Sequence, residues 1–125
     1  MGRLPVIAVF DTNIVIDALN GVEVADAEYG RYDRVLISVV TWIEAMVGAT
    51  DDEEAVRDFL SSRFEVAPLD ESVAAATIGI RRSRRLRLPD AIILATAQVH
   101  NAVLVTRNTK DFDPAWGDIR VPYAI

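Results

Sequence analysis

Asp11, Glu44, Asp90 and Asp111 are the side chains of this 125-residue chain whose type and spacing best suit chemistry. Carboxylates gathered together repel one another and hold raised pKa values unless a cation neutralises them. The chemistry that uses such a cluster is hard-cation binding. Mg2+ or Mn2+ takes oxygen ligands, keeps several waters, and activates water for attack on a phosphodiester. The chain has no cysteine, which excludes disulfides, thiolate metal sites and cysteine nucleophiles. Its one histidine, His100, argues against a zinc site or a histidine-based triad. An oxygen-ligated metal is therefore the metal site this chain can readily build. Asn13, Thr106 and Asn108 add neutral polar groups suited to orienting ligands or waters.

The elements must bring these residues together. Apolar runs at 4–10, 35–40, 64–67 and 102–106, with a weaker one at 119–121, read as strands. Asp11-Thr12-Asn13 is a turn-prone end to the first. A helical stretch covers 41–49. Thr50 and Glu53 have capping-box spacing and open another helix carrying Val56, Phe59 and Leu60 on one side. Asp70 suits the N-cap of a helix running into an arginine cluster, and Pro89 suits the first turn of the next. That last helix is apolar almost all round through 91–95, so it is expected to be buried. Near-continuous apolar strands separated by helices predict an α/β fold, a three-layer α/β/α sandwich with a mainly parallel sheet of four to five strands.

In such a sheet Asp11 sits at the carboxyl end of the first strand. Glu44 falls in the first turn of the helix after the second. A helix returning to a parallel sheet runs opposite to the strands, so Asp90, in the first turn of the helix before the fourth, shares that edge. Asp111 follows the fourth strand, with Asp113 just beyond. Open α/β sheets place their ligands at this edge. Each acid also has a plainer structural use. Asp11 suits an N-cap, Glu44 a capping box with Thr41, Asp90 the helix dipole, and Asp111 and Asp113 a solvated loop.

The net charge of −6 argues against a general nucleic-acid coat, yet Arg81, Arg82, Arg84, Arg85 and Arg87 crowd into seven residues. Arginine is a flat, always-charged fork that suits phosphate. This run ends three residues before Asp90; its alternative use is a solvated helix face offsetting nearby acids. Trp42 and Tyr32 read as core or interface residues, and His100 as a residue of the opposite edge. At 51% hydrophobic and 26% charged, the composition excludes disorder. Repeats, linkers and composition shifts are absent, so one domain over 1–125 is expected. No apolar stretch is long enough to span a bilayer, and the stretch from Met1 to Phe10 lacks the features of a signal peptide. A cytoplasmic protein is expected, with no membrane partner.

Four segments carry a resemblance. Val9-Phe10-Asp11-Thr12-Asn13-Ile14, Thr41-Trp42-Ile43-Glu44, Leu88-Pro89-Asp90-Ala91-Ile92-Ile93-Leu94-Ala95 and Leu104-Val105-Thr106-Arg107-Asn108-Thr109-Lys110-Asp111-Phe112 resemble the signature segments of PIN domains, in order and over nearly the whole chain. The Pro-Asp-Ala and Thr-Arg-Asn-x-x-Asp-Phe segments are most similar to VapC toxins. The resemblance implies a Mg2+- or Mn2+-dependent endoribonuclease acting on an RNA substrate, inhibited by a VapB-type antitoxin that covers the site. It also implies a homodimer. Asp11, Glu44 and Asp90 match the three family acids, with Asp11 and Asp90 as direct metal ligands. Many members carry an aspartate where this chain has Asn108, and others use the later one. The fourth acid is assigned here to Asp111, with Asn108 in support. The arginines of 81–87 are candidates to hold the RNA backbone or to face the dimer partner.

Three alternatives compete with this reading. A haloacid-dehalogenase-like phosphatase needs a second aspartate where Asn13 stands. A receiver-type signalling domain would use Asp70 as phosphate acceptor, with Thr106 and Lys110 in support, but prefers paired acids where Thr12 is neutral. A non-catalytic PIN-like binding module would keep the fold and lose the cleavage.

Overall fold

A computed structural model describes residues 4–124. Met1, Gly2, Arg3 and Ile125, and so the outer bounds expected for the domain and the start of the amino-terminal stretch, lie outside the described residues. The chain runs β1 (Ile7–Phe10), α1 (Thr12–Leu19), α2 (Glu23–Tyr29), β2 (Arg34–Ser38), α3 (Val39–Gly48), α4 (Glu53–Arg63), β3 (Glu65–Ala67), α5 (Glu71–Ser83), α6 (Leu88–Val99), β4 (Val103–Val105), a short 3-10 turn at Pro114–Trp116 and β5 (Ile119–Arg120). The five strands form one sheet in the order β3-β2-β1-β4-β5, and every pairing in it is parallel. Among the described residues no helix is long and apolar enough to cross a membrane.

The period of two along each strand divides the core into two halves. Val9, Leu36 and Leu104 face α5 and α6 on one side, while Ala8, Phe10, Val35, Ile37 and Val105 face α1, α3 and α4 on the other. The three layers of the expected sandwich follow. The chain moves outward from β1 to β2 and β3, then returns across the sheet to β4 and β5. Reversing direction moves the crossover helices to the opposite face when crossovers share one hand. It also leaves a switch point between β1 and β4, where a crevice opens at the carboxyl ends of the strands. Helix α6 is buried from Ala91 through Ala97, as its all-round apolar sequence requires.

Several local expectations need correction. The apolar run after residue 34 stops being a strand at Ser38, whose side chain accepts from the Val40 amide at 3.1 Å and caps α3. Helix α3 thus starts two residues before Thr41, no Thr41–Glu44 capping box forms, and Glu44 lies in the second turn, not the first. The Thr50–Glu53 box is also absent, because the backbone enters α4 at Asp52, without a side-chain cap. Helices α1 and α2 occupy a region that the sequence pattern left without helices. By contrast, Asp70 does cap α5, accepting from the Val73 amide at 2.9 Å, and Pro89 does sit in the first turn of α6. That cap assigns Asp70 a structural use in place of a phosphate acceptor's.

Phe112 is fully buried in the α5–α6 half of the core, directly after Asp111. Phe112→Ala is expected to cost about 4 kcal/mol through lost transfer energy and the cavity left behind. For a chain of this length that lowers the thermal midpoint by roughly 15 °C. Calorimetry checks this, and a shift of only a degree or two would show that this anchor carries little of the fold.

Candidate active site

Asp11 leaves β1 at the switch point, where its backbone amide donates to the Val105 carbonyl at 2.9 Å. It caps α1, its Oδ1 accepting from the Thr12 amide at 2.8 Å. Its Oδ2 accepts from the Thr106 hydroxyl at 2.7 Å and from Asn13 Nδ2 at 3.1 Å. The capping role and the site role therefore coexist in one residue. Burial pushes the Asp11 carboxyl up and the Glu44 charge adds to this, against the lowering effect of the three hydrogen bonds.

Asp90 is the third residue of α6, half-buried at the same edge. Its carboxyl is pushed up to about 6, first by burial and then by the charges of Asp11, Asp111 and Glu44, with Arg87 opposing. Of the four expected acids, Asp11, Glu44 and Asp111 each bear on Asp90 through their charge. Asp111 is held by a reciprocal clamp in which Asn108 Nδ2 donates to Asp111 Oδ2 at 3.0 Å and the Asp111 amide donates to Asn108 Oδ1 at 3.1 Å. The Asn108 amide in turn donates to the Thr106 hydroxyl at 2.9 Å. Asn108 thereby orients Asp111, and Asn13, Thr106 and Asn108 together tie the carboxyl ends of β1 and β4 into one polar network.

The arginine run does not act as one patch. Arg81 and Arg82 end α5, and Arg81 donates to the Leu86 carbonyl. Arg84 stacks 3.9 Å over the Trp116 ring, in a small cavity shared with Gln98, Ala102 and Asp118 at the opposite edge. Arg82 and Arg85 are exposed, and Arg87, at the N-cap of α6, is the member of the run whose charge acts on Asp90. Asp113 caps the 3-10 turn through the Ala115 amide, which makes it structural. Tyr32 is a core residue, its ring edge-on to Phe10, and Trp42 is partly buried beneath Arg57. His100 ends α6 at the far edge, where its charge bears on Glu65.

Thr12 and Arg107 were not foreseen. The Thr12 hydroxyl donates to Glu44 Oε1 at 2.6 Å and lies 3.0 Å from the Thr41 hydroxyl. The Arg107 amide donates to Asn13 Oδ1, while its guanidinium grips Asp17 at 2.7 and 3.1 Å and Tyr123 donates to the same carboxylate. Asn13 and Asp17 are four residues apart, so a helix read over 12–19 would have placed both on one face.

Among the described residues no three acids are packed closely enough to form a closed cage for an ion. The donor set nonetheless fits a hard divalent cation. It is all oxygen, it lacks thiol and imidazole, and its members repel one another across an edge open to water. A cation that keeps several of its waters suits such an open ring.

The PIN domain family model matches residues 8–115. Among solved structures, a toxin–antitoxin complex from Klebsiella pneumoniae contains a chain 41% identical to this one, with a TM-score of 0.87 over 94% of this chain and 99% of that one. VapBC-5 from Mycobacterium tuberculosis, a member of the VapBC family of toxin–antitoxin systems, matches at 27% identity and TM-score 0.63 over 96% of this chain and 100% of that one. DNA-bound VapBC from Salmonella typhimurium matches at 25% and 0.71 over 86% and 91%. No curated protein sequence matches. With the family pattern running from β1 past Asp111 and the sheet reversing beside Asp11, the chain belongs to the PIN domain family, with the architecture of its VapC-type toxins.

Proposed function

We propose that this chain acts as one endoribonuclease domain, a VapC-like toxin that hydrolyses RNA phosphodiester bonds in the cytoplasm with Mg2+ or Mn2+ and is restrained by a VapB-type antitoxin. The observation that supports the reading is that Asp11, at the N-cap of α1, and Asp90, in the first turn of α6, enter the same sheet edge, with the charges of Asp11, Glu44 and Asp111 all bearing on Asp90. Asp11 and Asp90 would hold the cation directly, with Glu44 and Asp111 completing the ring. When bound, such a cation neutralises the phosphate and activates water for attack. The chain's own part is to fix the acids. Thr106 and Asn13 orient Asp11, Asn108 orients Asp111, and α6 presents Asp90 from its first turn. Arg87, with the exposed Arg82 and Arg85, is available to the RNA backbone, where guanidinium contacts position a strand without reading its sequence. Arg81 is bonded to the Leu86 carbonyl, and Arg84 is committed to Trp116. The similarity to a toxin–antitoxin complex supports a protein inhibitor, and exposed apolar residues of α3 such as Ile43 and Val47 support a second copy as partner.

The test is cleavage of a mixed cellular RNA pool by purified protein with Mg2+, with Mn2+ and with chelator, beside the Asp11→Asn variant. Discrete metal-dependent cuts absent from the variant are expected. Equal cutting by both proteins, or none by a folded wild type freed of partners, would remove the ribonuclease assignment.

A further inference from the structure

Thr12 touches two of the four acids from two different atoms. Its backbone amide donates to Asp11 Oδ1 and its hydroxyl donates to Glu44 Oε1. A hydroxyl has one proton, and here the carboxylate takes it, so the 3.0 Å contact with Thr41 must run the other way, with Thr41 donating to Thr12. The result is a directed chain, Thr41 to Thr12 to Glu44, ending on a charge. Each bond in such a chain polarises the next, and one ending on a carboxylate is stronger than a neutral pair. Thr41 is fully buried, which fixes the start of the chain, whereas Glu44 is exposed and has a long side chain free to swing into solvent. Without an anchor, that freedom would leave the Glu44 carboxylate away from Asp11 for much of the time.

We infer that Thr12 is a positioning residue, whose hydroxyl holds the Glu44 carboxylate toward Asp11 and so toward a cation bound at this edge. The inference rests on the reading of the acids as a metal site. Thr12 joins the helix that Asp11 caps to the helix that carries Glu44, so one side chain sets the spacing of acids that enter from separate elements. Orienting partners of this kind commonly change metal affinity by 10- to 100-fold when removed.

The test measures Mn2+ affinity by titration with electron paramagnetic resonance, with no RNA present. Thr12→Val is expected to weaken Mn2+ binding about 10-fold, and Thr12→Ser, which restores the hydroxyl, to bind within about twofold of wild type. In a Glu44→Ala background, Thr12→Val should cause no further loss, because the residue through which it acts is gone. Melting curves of each variant identify any that fail to fold. Wild-type affinity in Thr12→Val, or an undiminished 10-fold loss in the Glu44→Ala background, would overturn the inference. So would a wild type that binds no Mn2+, whatever its activity. A wild type that binds Mn2+ but leaves RNA intact would defeat the nuclease reading alone, and the affinities would still decide the role of Thr12.

Discussion

Asp90→Asn is expected to abolish RNA cleavage while making the metal-free protein more stable. The ionised Asp90 carboxylate is disfavoured by burial and by three neighbouring acids, which is why it titrates near 6. In the unfolded chain it would titrate at its ordinary value of 3.8. Between those two pH values the folded protein holds a proton that the unfolded chain has lost. Metal-free stability therefore falls as pH rises through that window and levels off above it. An amide carries no charge to disfavour, so the variant should lose that slope. For a partly exposed carboxyl, solvent screening reduces the effect to about 1 kcal/mol, or roughly 4 °C in the thermal midpoint near pH 7.5. Losing a direct ligand removes several kcal/mol of charge stabilisation at the phosphate, and ~4 kcal/mol is about 1000-fold in rate. The measurement is a pair of melting curves at pH 4.5 and pH 7.5 with chelator, beside a cleavage assay with Mg2+. A variant that melts below wild type at pH 7.5, or that still cuts within tenfold of it, would contradict the account of Asp90 as a strained metal ligand.

The second large effect lies away from the site. Glu28 of α2 is 4% exposed, and it accepts from Arg120 of β5 at 2.6 and 3.0 Å and from the Tyr32 hydroxyl. Burial pushes its carboxyl up, but the hydrogen bonds from Arg120 and Tyr32, with the charges of Arg120 and Arg31, outweigh this and hold it below the ordinary value. A lowered folded pKa contributes stability at neutral pH that is lost as pH falls through it. Glu28→Gln keeps the shape and leaves the partly exposed Arg120 without its counter-charge, which, with solvent screening of that guanidinium, costs about 2 kcal/mol. The thermal midpoint at pH 7 should drop by roughly 8 °C. The gap from wild type should narrow as pH is lowered below the ordinary value of 4.5, where the unfolded chain takes up a proton that the folded carboxylate still resists. A gap that stays constant across this range would assign the loss to packing instead of to the ion pair.

Much of the fold was legible because two periodicities and a few punctuating residues were enough to place it. Short, near-continuous apolar runs mark the strands, the all-round apolar helix at 88–99 marks the core, and Asp70 and Pro89 mark helix starts. Helices α1 and α2 were not legible. Asp11-Thr12-Asn13 has the local chemistry of a turn, and the same chemistry serves as a helix start when Asp11 caps it. Local sequence does not choose between those outcomes; packing of Ile14 and Val15 against the sheet does. The two expected capping boxes failed for a related reason. Their spacing is a local rule: Ser38 starts α3 ahead of Thr41 and Glu44 bonds to Thr12, while the chain enters α4 at Asp52 and not at Thr50.

The sequence by itself determined which chemistry was possible: without thiols and with a single remote histidine, its acids could build only an oxygen-donor site. It also determined the edge at which they meet, since strand ends and helix starts in a parallel sheet share that edge whatever the side chains. Tertiary structure alone decided how each acid is held. The Asn108 clamp on Asp111, the Arg107–Asp17–Tyr123 anchor behind Asn13 and the hydroxyl chain onto Glu44 join residues separated by between three and 106 positions. It also divided the arginine run, sending Arg84 to Trp116 and leaving Arg87 beside Asp90. The physical reason is one of range. Propensity and periodicity act over a few residues, whereas hydrogen-bond partners are chosen by whatever the packed sheet and helices bring within about 3 Å.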